Sequence, residues 1–279
     1  LFFMTFIIWA MVKWDADDSK YADHWIVFIA YMTGLSIGVH LLSLLALPAM
    51  ALIYYYKRYK TTWYGWLIAS AVGFLVLGLY MKFIISFTQS YLAGMDLFFV
   101  NDMGMGFNSG IIIGALLLIL VIGSLLYYTH TGKDRDFYIA IGAAGLYFLL
   151  GLVIEDSLTA KLIRSIYVIV LILARSYGYE TRRIVNIGVL AIAFSYVGYL
   201  SYIMVPIRAI ANPPINMNKP TDPFTIKSYV DREQYGDRPL VMGPDYTADP
   251  YDDVDFYRDE NGKIHGYVYS GDRWEKDEK

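Results

Sequence analysis

The amino-acid sequence predicts an all-α polytopic membrane protein with about seven to eight transmembrane segments and a small extracytoplasmic α+β segment at its C-terminal end. Hydrophobic residues make up 57% of the 279 residues and charged residues only 18%, against about 25% charged in soluble domains. The 205 residues of 1–205 carry 24 charges, whereas the 74 residues of 206–279 carry 25, together with eight of the nine prolines. We therefore predict a transmembrane domain over 1–205. Residues 206–279 would form an extracytoplasmic Pro-rich linker and the start of an outer soluble domain.

Several function classes are excluded by composition. The first part has a net charge of +2 and the second of −5, so the chain offers no positive surface to a nucleic-acid backbone. The absence of cysteine excludes disulfides, iron–sulfur centres and thiol catalysis. Phosphate-binding loops, zinc-peptidase motifs and nucleophile elbows are missing from the sequence. We predict neither a metal nor a resident cofactor.

The first apolar run is short. It reads LFFMTFIIWAMVKW over 1–14, below the roughly 20 residues that span a bilayer, and it lacks the basic start of a signal peptide. We expect it to be the remainder of a transmembrane helix cut upstream, and the chain to be a fragment.

The second apolar run, 25–56, is too long for one simple span. As a single helix it would measure about 48 Å, against a hydrocarbon core of about 30 Å. Gly34, Gly38 and Pro48 lie inside it, and proline breaks helical hydrogen bonding. Two short helices that meet near 40–48 are favoured over one tilted helix.

Loop charges predict how the remaining spans are oriented. Cations follow the run at 57–60 and return at 133–135 and 175–183, whereas the loops 88–108 and 155–161 are mainly acidic. Because cationic loops stay in the cytoplasm, the segment from Pro206 onward is predicted to be extracytoplasmic. The spans are predicted over 63–87, 109–128, 137–154, 162–177 and 184–205.

The C-terminal segment has its own local signals. NPPINMNKPTDPF from Asn212 predicts an extended linker, since residues before proline avoid the helical region. A short helix is expected over 225–234. Alternating apolar residues around Asn261-Gly262 predict a β-hairpin.

Polar residues predicted at the outer face are candidates for a site. His40 lies in an apolar run, where an ionisable group is by default a functional hypothesis; a neutral imidazole bonded to a backbone carbonyl is the alternative. Asn101, Asp102 and Asn108 can hydrogen-bond a sugar or the backbone. Ser109 is favoured as a helix N-cap.

Two further groups of polar residues are predicted at the same face. Glu155-Asp156 is an adjacent carboxylate pair that suits acid–base chemistry or cation binding, although a solvated helix end is favoured. Arg208 follows the last span, and its guanidinium matches a phosphate; an arginine that reaches from the lipid to the interface is the alternative.

Three runs carry a resemblance to a known family. They are 22–57, FVNDMGMGFNSG at 99–110, and 199–248, which contains Arg208, Asn212-Pro213-Pro214, Asn216 and REQYGD at 232–237. They resemble a membrane family long catalogued as a domain of unknown function. It is now grouped with protein O-mannosyltransferase-like glycosyltransferases of the GT-C architecture. The tail run is the specific one.

The resemblance implies transfer of a sugar from a polyprenyl-phosphate-linked donor, and mannose is the favoured sugar. The acceptor would be a protein or other hydroxyl at the outer face of a bacterial inner (plasma) membrane. Membrane lipid, the lipid-linked donor and an acceptor protein would be the partners. The substrate-binding residues would include Arg208, His40, Asn101, Asp102, Asn108, Asn212, Asn216, Arg232 and Glu233. The family's catalytic carboxylate belongs to a loop expected upstream of Leu1, so no catalytic residue is assigned.

Two other functions stay open at this point. A transporter or flippase of a lipid-linked or small substrate would use glycine-interrupted spans and an intramembrane histidine. A non-catalytic membrane scaffold would use the outer segment to bind partners.

Overall fold

The structure, a computed structural model, describes residues 2–19, 21–154, 158–176, 178–231, 267–270 and 273–276. Predicted positions 155–156, 232–237 and 261–262 therefore lie outside the described residues. The chain divides into two compact units, Leu1–Phe87 with Leu116–Met204 and Thr88–Ala115 with Val205–Lys279. The functional division at residue 205 stays a prediction.

The first part of the chain is helical with one break. Helices α1 (Phe2–Ala16), α2 (Asp23–Ile37) and α3 (Ala46–Arg58) are joined by a turn and by a 3-10 segment, Leu41–Leu45. Pro48 is the third residue of α3, and proline is tolerated in the first turn of a helix. The prediction of two short helices is confirmed, and the break precedes the proline.

The next helix is longer than predicted. Helix α4 (Gly65–Tyr80) continues through a π-helical segment, Met81–Ser86, into α5 (Phe87–Asn101). The outer loop predicted over 88–108 is therefore wrong for most of its length. Its polar residues do not end the helix, which continues to Asn101.

The remaining described elements follow with short connections. They are α6 (Ser109–Thr131), α7 (Asp134–Ile154), α8 (Leu158–Ser176), α9 (Gly178–Tyr199), a 3-10 segment (Leu200–Ile203), α10 (Met204–Ile210), α11 (Pro223–Asp231), β1 (Tyr267–Ser270) and β2 (Arg273–Lys276). The strands pair antiparallel, with Ser270 opposite Arg273. The hairpin predicted around Asn261-Gly262 lies outside the described residues and stays a prediction.

Four described segments are long and apolar enough to cross a membrane: Gly65–Asn101, Ser109–Thr131, Asp134–Leu152 and Thr181–Ile210. This is compatible with an integral membrane protein. Helices α1, α2 and α3 have 13 to 15 residues each, which is short of a full span. Helix α8 is not among these four segments; it carries three cationic residues, Lys161, Arg164 and Arg175.

The first unit has two apolar cores. One is formed by α1, α2 and α3 around Ile7, Met11 and Ile29. The other is formed by the inner faces of α6, α7, α8 and α9 around Tyr128 and Leu171. Each core collects the apolar faces of neighbouring helices, which stabilises the fold in the way expected of a helical bundle.

Small residues bring α2 and α9 into close contact. A Cβ atom added to Gly34 would lie 2.1 Å from the Ser195 carbonyl oxygen, and one added to Gly198 would lie 2.4 Å from that of Tyr31. The Ser195 hydroxyl donates to the Ala30 carbonyl at 3.2 Å. Small residues at such a crossing let backbones approach, as is typical of helices packed in membranes.

Ion pairs collect at one end of the first unit. Arg183 at the start of α9 contacts Asp23 at the start of α2 at 2.8 Å. Arg175 at the end of α8 contacts Asp134 at the start of α7 at 2.7 Å. Helices that meet by these ends must alternate in direction along the chain, in agreement with the predicted alternation.

Lys57, at the end of α3, completes this cationic end. Its Nζ donates to the backbone carbonyls of Trp14, Asp15 and Asp17 at 2.6–3.2 Å, so it satisfies carbonyls that the end of α1 leaves open. We define the cationic end by Lys57, Arg175 and Arg183. The side of the membrane that it faces stays a prediction.

Candidate functional site

The turn between α5 and α6 is organised by a buried carboxylate. Asp96 is fully buried, and its Oδ1 and Oδ2 accept hydrogen bonds from the backbone N–H groups of Gly110 and Asn108 at 3.0 and 3.2 Å. A carboxylate at a helix N-terminus both satisfies open N–H groups and interacts favourably with the helix dipole. Asp96 therefore caps α6 from the preceding helix.

This cap differs from the predicted one. Ser109 is the first residue of α6, and its hydroxyl has no hydrogen-bond partner in the described part of the chain. The prediction that Ser109 caps the helix is therefore wrong. Gly110 permits the arrangement, since a Cβ there would lie 2.3 Å from the Met95 carbonyl oxygen.

Three predicted site residues lie on this same turn. Asn101 is the last residue of α5, Asp102 follows it, and Asn108 adopts a left-handed backbone with φ of 68°. All three are exposed. The turn thus presents two side-chain amides and one carboxylate to its surroundings, on a backbone held by Asp96.

Arg208 lies on α10 in the second unit. Its side chain is exposed, and it forms no hydrogen bond or ion pair with any residue that the structure describes. The helix continues the apolar segment Thr181–Ile210. An exposed guanidinium at the end of such a segment is available to an anionic group at a lipid–water boundary.

The residues after Arg208 close the end of its helix. Asn212 is left-handed, with φ of 48°, and its N–H donates to the Ala209 carbonyl at 3.0 Å. The Asn216 amide donates to the same carbonyl at 2.9 Å. Both asparagines therefore fix the linker against α10, in the manner of a helix C-cap. This group and the α5–α6 turn belong to the same compact unit.

Sequence reasoning missed the polar cap that starts α11. The Asp222 carboxylate accepts from the N–H groups of Phe224 and Thr225 at 3.0 Å, and the Thr225 hydroxyl accepts from the Asp222 N–H at 3.2 Å. Pro223 takes the first helical position. The signal was available, because Asp-Pro followed by Thr at the third position is a capping box with proline at its favoured place.

His40 ends the break before the 3-10 segment of the first unit. Its Nδ1 accepts a hydrogen bond from the Leu42 N–H at 3.0 Å, and its imidazole is exposed. This contact requires an unprotonated Nδ1. The alternative given by the sequence was an imidazole bonded to a backbone carbonyl, whereas the observed partner is the Leu42 N–H. A ligand contact by His40 stays a prediction.

The remaining predicted residues are outside this geometry. Arg232, Glu233 and the Glu155-Asp156 pair lie outside the described residues. In the part of the chain that is described, no group of three or more His, Asp or Glu side chains could hold a metal ion.

Comparison with protein families gives a match at the start of the chain. Residues 1–63 match the family model described as Protein O-mannosyl-transferase TMEM260 N-terminal domain. This stretch includes α1, α2, the first 3-10 segment and α3. The comparisons with curated proteins and with solved structures gave no match. The first 63 residues are thus similar to a domain of an O-mannosyltransferase-like family.

Proposed function

We propose that the protein is a membrane glycosyltransferase of the O-mannosyltransferase-like kind. It would transfer a sugar from a polyprenyl-phosphate-linked donor to a protein or other acceptor hydroxyl at the outer membrane face. Mannose is the favoured sugar. The observation that carries this proposal is the family match over residues 1–63. The matched residues include the break between α2 and α3. Arg208 and the α5–α6 turn give further support to the proposal.

Arg208 is the proposed donor-binding cation. A lipid-linked sugar places its phosphate at the membrane interface, where a guanidinium can offer two parallel hydrogen bonds to it. Arg208 follows an apolar segment and is exposed. The adjoining Asn212 and Asn216 hold the end of its helix, so in this proposal Asn216 acts through the position of α10.

The second unit also supplies groups for a sugar or an acceptor. Asn101, Asp102 and Asn108 are exposed on a turn whose backbone is held by the buried Asp96. Amides and carboxylates suit the hydroxyl groups of a sugar. The reaction also needs a base to take the acceptor's proton, and we assign that role to no residue.

The topology of the proposal is a GT-C-like bundle of seven to eight spans in a plasma membrane. It adds α8 and the short helices α1, α2 and α3 to the four segments that are long enough to cross by themselves. The alternating contacts at the cationic end support this arrangement. The cationic end would face the cytoplasm, and the segment after Val205 the outside.

The test is a transfer assay with the purified protein in lipid vesicles. Labelled polyprenyl-phosphate mannose is supplied with a hydroxyl-bearing acceptor peptide, and transfer to the peptide is followed by mass spectrometry. The proposal expects product that depends on the donor. Donor hydrolysis alone, or product formed equally without the protein, would contradict it.

A second candidate is a transporter or flippase of a lipid-linked substrate. The observation that favours it is the interrupted segment α2–3-10–α3, because broken helices often line transport sites. It predicts that labelled lipid-linked sugar crosses the vesicle membrane with no glycosyl transfer. A positive flux assay combined with a negative transfer assay would replace the first proposal by this one.

A further inference from the structure

An apolar groove opens in the first unit between α3 and α4. Its volume is about 660 Å³, within the range of pockets that hold small molecules. Its lining includes Trp14 of α1, Ile29 of α2, Leu47 of α3 and Ala69 of α4. These four side chains are all buried. The groove is thus a built feature of the helix packing.

The depth of the groove matches one leaflet of a bilayer. Its lining along α4 runs from Gly65 to Val76, which is about 17 Å at the rise of an α-helix. Half of a hydrocarbon core is about 15 Å. Helix α4 belongs to a segment long and apolar enough to cross a membrane. An apolar chain that enters beside Gly65 and ends near Val76 would stay within one leaflet.

The mouth of the groove lies at the cationic end. Three tyrosines, Tyr54, Tyr55 and Tyr59, line it together with Lys60. Tyrosine is enriched where lipid headgroups meet the apolar region. The mouth therefore has the amphipathic lining that suits a headgroup, above an apolar channel that suits a chain.

A hydrogen-bond network holds the mouth in place. The Tyr55 hydroxyl donates to the Lys60 carbonyl at 3.1 Å and accepts from the Thr62 N–H at 2.9 Å. The Thr62 hydroxyl accepts from the Gly65 N–H at 3.1 Å. A Cβ added to Gly65 would meet the Tyr55 hydroxyl oxygen at 1.9 Å. Glycine at this position lets the network form, and the network fixes the backbone of Lys60.

Two neighbouring lysines differ in their partners. The Lys57 side chain is largely buried and donates to three carbonyls. Lys60 is exposed, and its ammonium group has no hydrogen-bond or ion-pair partner among the described residues. Lys60 is therefore the cation at the mouth that remains available to an anionic headgroup.

We propose that this groove binds one acyl chain of an anionic phospholipid, with the phosphate of that lipid beside Lys60. The chain enters from the leaflet at the cationic end. The available charge of Lys60 favours an anionic headgroup, and the length of the groove limits the chain to one leaflet. The site is independent of the proposed sugar transfer, whose donor-binding Arg208 belongs to the second unit.

Lipid binding to the purified full chain tests this proposal directly. The delipidated protein in mild detergent is titrated with phosphatidylglycerol or phosphatidylcholine, and bound lipid is counted by native mass spectrometry. We expect one retained phosphatidylglycerol per chain. Its affinity should exceed that for phosphatidylcholine by about fivefold, since one lysine near a headgroup contributes about 1 kcal/mol.

Paired variants distinguish lipid bound in the groove from lipid bound elsewhere on the protein. Val72→Trp fills the groove, whereas Leu75→Trp adds the same bulk to α4 at a residue outside the lining. We expect retained lipid to fall at least tenfold in Val72→Trp only. Lys60→Gln should remove the preference for phosphatidylglycerol, and Lys13→Gln, at the end of α1, should keep it.

Several results would overturn the proposal. They are equal affinity for the two lipids in the wild-type protein, equal retention in the two tryptophan variants, and a second copy of the chain in place of the lipid. If Val72→Trp does not fold, Ala69→Leu fills the same groove with less bulk. The wild-type titration decides the headgroup preference without any variant.

Discussion

Arg208 of the second unit differs in its partners from the three residues that define the cationic end. At the cationic end of the first unit, Lys57, Arg175 and Arg183 all contact carbonyls or carboxylates that belong to other helices. In the second unit, Arg208 is exposed and has no such partner in the described residues. A cation that pairs with carbonyls or carboxylates of the protein stabilises the packing of its helices, whereas an exposed cation without such a partner can bind a ligand. The comparison separates residues that hold the bundle from the residue proposed to bind substrate.

The largest expected effect is on Arg208, and it concerns activity. Arg208→Gln should lower kcat/KM for the lipid-linked donor on the order of 10- to 100-fold, because a hydrogen bond to a charged group contributes about 1.5–3 kcal/mol. The apparent melting temperature in detergent should stay unchanged. Both are measured on the same preparation.

A matched control keeps this result specific. Lys219 is an exposed cation of the same unit, and Lys219→Gln removes the same charge without touching α10. Donor kinetics should then be those of the wild-type protein. If the two variants behave alike, Arg208 has no role in binding the donor, and the comparison between the units loses its functional side.

Lys57 should show the opposite behaviour. Its side chain is only 14% exposed, and Lys57→Met leaves three carbonyls at the end of α1 without this donor. We expect a loss of about 2 kcal/mol in the free energy of unfolding, measured by titration with a denaturing detergent. Activity per folded molecule should not change. Lys13→Met, at the same end of α1, serves as control and should unfold like the wild type.

The Asp96 cap extends the comparison to acidic residues. Asp96→Asn removes the charge that faces the start of α6, and we expect it to cost about 1–2 kcal/mol of stability. Asp102→Asn changes an exposed carboxylate six residues later and should cost almost nothing. Thermal unfolding of the two variants measures the difference. Equal stability would mean that Asp96 does not hold the turn.

The sequence predicted the parts of the fold that depend on local pattern. Apolar runs and loop charges located α6, α7, α8 and α9 within a few residues, and the glycines with Pro48 located the break between α2 and α3. The helix before Asp231 was also predicted, at 225–234. These features follow from hydropathy, helix breakers and charge, all of which act over a few turns of chain.

The sequence did not reveal features that depend on contacts between distant residues. Lys57 binds carbonyls about forty residues earlier in the chain, and no local pattern marks that contact. Asp96 was interpreted as part of an acidic loop, although it lies in a helix and caps the next one. The roles of Arg208 and Asn101 in a site stay predictions, because a sequence alone cannot say whether two residues so far apart in the chain lie close together.

The smallest effect is expected for the ion pair of Arg175 and Asp134. The Arg175 Nη1 and Asp134 Oδ1 atoms lie 2.7 Å apart, yet the two side chains are 41% and 77% exposed. An exposed pair gains little, because water screens the charges and both side chains lose freedom. We expect a coupling energy below about 1 kcal/mol in a double-mutant cycle of Arg175→Gln and Asp134→Asn.

The cycle also separates the ion pair from a second contact of the same arginine. The guanidinium lies 4.3 Å from the centre of the Phe137 ring, and such a contact contributes about 0.5–1 kcal/mol at an exposed site. The ion-pair coupling should weaken as salt is raised, whereas the loss of the ring contact persists in Arg175→Gln at any ionic strength. A coupling well above 1 kcal/mol would show that this pair, like Lys57, is a main support of the cationic end. The distinction among its cations would then rest on something other than exposure.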